Sequence, residues 1–100
     1  MSIARGVTPT FVLTFEDVDL TEADSVYVTF SFNGKTLTKT GEALVVEAQQ
    51  ISVFLTQKET LRFPVGIIEI QTNWMIDGKR YVSDIAPYQI TRQLLDEVLT

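Results

Sequence analysis

The sequence predicts an all-β fold, two antiparallel sheets stacked as a sandwich, and three observations carry that expectation. Apolar and polar residues alternate with a period of two over most of the chain, the mark of strands with one buried face. Two dipeptides, Asn33-Gly34 and Asp77-Gly78, have the chemistry of tight hairpin turns, which need positive φ at both central positions. Turn signals recur every 8–12 residues or so, a spacing that suits short strands packed face to face. One hundred residues with 45% hydrophobic and 21% charged side chains can build one core and no second one, so residues 1–100 read as a single domain.

The elements follow in order. Ser2 to Thr8 is too polar to fold alone, and residues 1–8 read as an arm outside the core. Thr10 to Phe15 is the first strand, with Phe11, Leu13 and Phe15 on one side and Val12 between two threonines on the other. An acidic connection follows, containing Glu16, Asp17, Asp19, Glu22 and Asp24, in which Leu20 and Ala23 tuck one helical turn against the core. Ser25 to Asn33 resumes the alternation with Val26, Val28, Phe30 and Phe32 inward. The Asn33-Gly34 turn returns the chain as Lys35 to Thr40 and sets Phe30 opposite Leu37 and Phe32 opposite Lys35. Leu37 is the single inward apolar residue there, flanked by Lys35 and Lys39, and inward charge is how an edge strand resists pairing with other chains.

Leu44, Val46 and Ala48, then Ile51, Val53 and Leu55, give two more strands; pairing across Gln49-Gln50 places Val46 opposite Val53 and Leu44 opposite Leu55. Thr56-Gln57-Lys58-Glu59 has the capping-box pattern, and Phe63-Pro64-Val65-Gly66 stops the helix within two turns. Ile67 to Met75 is a long strand that turns at Asp77-Gly78 into Lys79 to Gln89. That hairpin sets Trp74 against Tyr81, Thr72 against Ser83 and Ile70 against Ile85, with Gln71 facing Asp84 and Glu69 facing Ala86. Pro87 cannot donate to a ladder, which places the last strand at an edge or a bend. Thr91 to Thr100 reads as a short C-terminal helix with Leu94 and Val98, then Leu95 and Leu99, at i,i+4 spacing. The sum is an antiparallel immunoglobulin-like sandwich of about seven strands with one short internal helix, the likeness being one of proportions since the Cys–Trp–Cys hallmark is missing.

Composition removes most chemistry. Without His or Cys the chain lacks the commonest general base, the thiolate nucleophile and the usual transition-metal ligands. Net charge is −5 and the eight basic residues are scattered, which argues against nucleic acid as a partner. No signal-peptide core and no apolar run of roughly 18–20 residues is found, so neither export nor a membrane is expected, and the chain is expected to stay in a cytoplasm unless it leaves as part of a particle. The acidic connection lacks calcium-loop spacing, and the isolated glycines form no phosphate-cradling fingerprint. An enzyme using Asp84 and Glu69 is a distant reading, because those positions supply no paired-carboxylate cleft. No catalytic residue, cofactor or metal ligand is assigned.

The other sheet face is the anomaly. If the residues above point inward, Val12, Tyr27, Val45, Phe54, Ile67, Met75, Val82 and Tyr88 point outward, and several apolar residues on one sheet face make a contiguous interaction patch. The competing expectation is that the acidic connection or a helix covers them within the monomer.

Four runs, Arg5 to Phe11, Val26 to Phe30, Val53 to Leu61 and Glu69 to Trp74, together resemble small tail-region proteins encoded by prophages of Gram-positive bacteria, in particular the N-terminal domain of the siphophage baseplate upper protein. The resemblance implies a non-enzymatic structural or assembly module of a phage tail or baseplate, in a virion or in the bacterial host cytoplasm, docking on other virion proteins or on copies of itself; the alternation, read separately, offers Val12, Tyr27, Val45, Phe54, Ile67, Val82 and Tyr88 as the contact surface. The chain departs from that family's full-length members in lacking coiled-coil or receptor-adaptor segments within its 100 residues. The alternative from another class is a small-ligand or carbohydrate-binding sandwich that stacks its ligand on Trp74, Tyr81 and Tyr88 and holds those rings in a concave pocket.

Overall fold

The computed structural model describes residues 2–4, 8–16 and 18–92. Those residues form an all-β sandwich of two sheets. The strands are β1 (Ser2–Ala4), β2 (Thr10–Thr14), β3 (Ser25–Phe32), β4 (Lys35–Thr40), β5 (Leu44–Glu47), β6 (Gln50–Phe54), β7 (Gly66–Ile76), β8 (Lys79–Val82) and β9 (Ala86–Thr91). The larger sheet runs β1-β9-β7-β3-β4 with β8 also paired to β7, and the smaller runs β2-β6-β5. All pairings are antiparallel except β1 with β9, so Ser2–Ala4 adds a parallel strand to the sheet where an arm outside the core was expected. From residue 93 onward the expected C-terminal helix lies outside the described residues, and Thr91 closes β9.

Both hairpin dipeptides do what their chemistry requires. Asn33 and Gly34 have φ of 48° and 73°, and Asp77 and Gly78 of 49° and 78°, the doubly left-handed geometry whose twist matches the flanking strands. Phe30 pairs with Leu37 and Phe32 with Lys35, and β4 is the sheet edge. The β5–β6 hairpin keeps the expected faces with a register shifted by two: Leu44 pairs with Val53 and Val46 with Ile51 across Ala48-Gln49. The turn sits there because its carbonyls are engaged from outside, Ala48 O accepting from Leu20 N and Gln49 O from Phe15 N. A shift of two preserves side-chain direction, so the core is unaffected.

The inner faces meet over Phe11, Val28, Phe30, Ile51, Ile68 and Ile90, all buried. Phe30 is central: its ring lies 5.4 Å from Phe11 and 5.9 Å from Phe63, and Phe32 meets Phe63 edge-on at 5.1 Å. Leu20, carried by a 3-10 turn (Leu20–Glu22) that Asp19 caps through the Thr21 N–H, closes one part of the core. Phe63, just after helix α1 (Gln57–Leu61), closes another.

The long hairpin departs from expectation in one respect that changes a face. Trp74 pairs with Tyr81 as expected, yet Ile70 pairs with Ala86. Between these pairs β7 has three residues and its partner has four, so the 83–85 segment carries one extra residue. One residue inverts every side chain beyond it. Ile85, expected inside, is exposed, while Tyr88, expected outside, packs edge-on to Phe11 at 4.6 Å. The offset is secured by Ser83, whose Oγ accepts from Thr72 N at 3.0 Å and whose N–H donates to Thr72 O at 2.9 Å.

At the β4 edge, Lys39 does more than repel strangers. Its Nζ lies 2.7 and 2.9 Å from the two carboxylate oxygens of Glu59, the same residue whose Oε1 accepts from Thr56 N to complete the capping box of α1. One carboxylate thereby ties the edge strand to the helix. Partial burial pushes the Glu59 carboxyl up, but the Lys39 hydrogen bond and charge and the Thr56 N–H outweigh it, and the net direction is below the ordinary 4.5. A carboxylate with a depressed pKa in the fold adds stability that is complete above its unfolded pKa and is lost as pH falls through the folded one. Glu59→Gln is therefore expected to cost about 1 kcal/mol at neutral pH, with the gap to wild type closing below about pH 4.5, read by urea denaturation across pH.

Candidate functional site

Two surfaces stand out: an exposed apolar face and an open groove between the sheets. On the outer face of the small sheet Val12 and Val45 flank Ser52 in one row across β2, β6 and β5, and Phe54 stands two residues along β6 from Ser52. All three apolar side chains are about half exposed, Phe54 at 48%. On the opposite side of the molecule Tyr27 and Val82 flank Asn73 in a row of the large sheet. Ile67 stands apart from that row on β7, beyond Glu69 and Gln71.

Placement thus corrects the expectation of one contiguous patch. Val12, Val45 and Phe54 belong to one sheet, whereas Tyr27, Ile67 and Val82 belong to the other, and Tyr88 faces the core. The large sheet's outer face is also broken up by polar contacts. Thr29 and Thr38 hydroxyls meet at 3.1 Å, and Arg80 donates twice to Asn73 Oδ1, at 3.0 and 3.1 Å. The small sheet is the less interrupted of the two. Alternation in a sequence assigns a side chain to a face but does not say which sheet owns the strand, so it cannot separate the two patches.

The groove has a volume of about 790 Å³ and opens between β2 and the β7–β8 hairpin. Leu13 and Phe15 form one wall, and Ile70, Thr72, Trp74 and Ile76 form the other. Phe15 meets Trp74 edge-on at 5.7 Å, and Tyr81 stacks on Trp74 at 6.1 Å with the rings 15° from parallel. Trp74 is buried, yet among the described residues its Nε1 has no hydrogen-bond partner, a donor whose burial costs free energy unless something accepts from it. Glu16, Asp19, Glu22 and Asp84 stand around the groove, and among the described residues its lining contains no Lys or Arg.

Of the rings that could form a ligand-stacking surface, Trp74 and Tyr81 share this groove and Tyr88 does not, since it packs edge-on to Phe11 elsewhere on the inner face. Asp84 lines the groove while Glu69 projects from the outer face of β7, so the sheet stands between these two carboxylates. Among the described residues no group of three or more Asp or Glu side chains is arranged to hold a metal ion, and no helix is long and apolar enough to cross a membrane. The groove itself was not visible in the sequence; the nearest signal was the Trp74–Tyr81 pairing. Its other wall comes from β2, distant in the chain. No protein-family model matches this chain, and no curated protein sequence matches it.

Proposed function

We propose that the chain is a structural docking module of a phage or prophage tail or baseplate, joined to like or unlike subunits through the outer face of its three-stranded sheet. The observation carrying this reading is the cluster of Val12, Val45 and Phe54, half exposed on one small sheet with only Ser52 between them. Apolar and aromatic side chains held together in water favour a covering partner, because each buried Å² of apolar surface contributes about 25 cal/mol. The likeness of the strand and turn runs to prophage tail proteins supplies the setting.

Light scattering over a range of concentrations tests self-association. A mass that rises with concentration in the wild type and stays at 11.3 kDa for Phe54→Glu supports docking to like subunits. Mass spectrometry of tails purified after induction of a strain carrying the gene tests the setting; absence of the chain from tails and from their assembly intermediates overturns it. A second reading, a small-ligand or carbohydrate-binding module, is favoured by the Trp74–Tyr81 stack beside the groove. It requires a saturable change in tryptophan fluorescence on adding sugars.

A further inference from the structure

We infer that the groove between β2 and the β7–β8 hairpin receives an extended, basic segment of a partner protein, which adds a strand to the free edge of β2. This goes beyond the outer-face reading and rests on a separate surface that shares only Val12 with it. Three observations meet at the groove.

The first is a free strand edge. Among the described residues β2 ends its sheet and pairs with β6 alone, and the groove is lined by consecutive residues from Val12 to Glu16, as expected of a strand whose unpaired side faces it. A row of unpaired backbone N–H and C=O groups is a template for another strand, and strand addition is an established mode of peptide capture. Five residues of β2 offer about 17 Å of ladder.

The second is charge. Glu16, Asp19, Glu22 and Asp84 surround the groove with no cation in its lining among the described residues, which fits Lys or Arg side chains on the incoming segment. The third is the aromatic wall. Phe15 meets Trp74 edge-on and Tyr81 stacks on it, and Trp74 Nε1 is a buried donor left without an acceptor among the described residues. Apolar residues alternating with the basic ones would lie on those rings, and a cation over a ring face adds its own attraction. A sugar would use the rings and the carboxylates but would leave the strand edge unpaired.

Trp74 is the only tryptophan, so its fluorescence reports directly on the groove. The probe is the acetylated, amidated heptapeptide Thr-Val-Lys-Val-Lys-Val-Thr, set against the same peptide with Glu replacing Lys and against a version N-methylated at alternate backbone positions. The expected result is a saturable signal with the Lys peptide below about 1 mM, weakened by salt, and no signal with either control. Asp84→Lys, at an exposed position, is expected to weaken binding about tenfold, and Tyr81→Ala, also exposed, to weaken it without unfolding the chain. Equal binding of the Glu or N-methylated peptide overturns the proposal, as does absence of a signal at 1 mM. A saturable response to sugars in place of the peptide assigns the groove to a carbohydrate. Dimerisation lost on Asp84→Lys assigns it to a second copy, and a Trp74 signal altered by Leu95→Lys without peptide assigns it to the chain's own residues 93–100. Each of these three results also overturns it. The outer-face reading is judged by mass and this one by the Trp74 signal, so either can fail alone.

Discussion

Phe30→Ala is expected to remove about 3–5 kcal/mol of folding stability, a large part of the roughly 5–15 kcal/mol that holds a domain of this size. The ring is fully buried on the interior strand β3, where it joins Phe11 of the facing sheet to Phe63 beyond the helix. Its loss takes away both the transfer of the ring out of water and the contacts on two sides. Strand β3 is hydrogen-bonded on both flanks, to β4 and to β7, and cannot collapse to fill the space. Urea denaturation with unchanged m-value is the measurement, and Phe30→Leu should fall between wild type and alanine. A cost below about 1 kcal/mol would mean that the two sheets do not meet over this ring.

Deleting Ile85 is expected to cost at least as much, although the side chain itself is 54% exposed and contributes little. Its importance is to chain length. Without it the segment from Tyr81 to Ala86 loses the residue that offsets β8 from β9. If β8 holds its register, Ile90 turns out to solvent and Gln89 turns in, forfeiting about 1.5–3 kcal/mol of apolar burial and adding an unpaired amide to the core. If β9 holds instead, β8 slips, the Trp74–Tyr81 stack is broken and Ser83 no longer satisfies Thr72 N. Ile85→Thr keeps the length and is expected to change stability by less than about 0.5 kcal/mol. Comparing the two variants by thermal denaturation and Trp fluorescence separates length from side chain; similar small costs for both would show that the offset has no structural role.

These two sites mark what the sequence does and does not disclose. The face of β3 follows from alternation alone, and its hairpin register follows from Asn33-Gly34, because turn chemistry fixes which residues oppose each other. At Ser83 to Ile85 no glycine or proline announces the offset, so alternation alone points Tyr88 outward, whereas the fold turns it onto Phe11. The β5–β6 register failed more gently, since its turn is held by hydrogen bonds from Phe15 and Leu20, contacts that local spacing cannot reveal. The Lys39–Glu59 pair was half legible: an inward lysine and a capping-box glutamate were both apparent, and only the tertiary fold brings them within 2.7 Å. The groove was the least legible feature, being a space between strands from opposite ends of the chain.

The order of the sheets also governs how quickly the molecule can assemble. Tight-turn hairpins such as β3–β4 close within microseconds, but the seams that join them, Val28 with Thr72 and Phe11 with Val53, require distant stretches of chain to find each other first. Loop closure of that kind must be completed before the core contributes anything, which places refolding in the millisecond-to-second range typical of all-β sandwiches. During that interval unpaired strands stand open to neighbouring chains, so crowded expression should favour aggregation and slow dilution should favour recovery of the native domain.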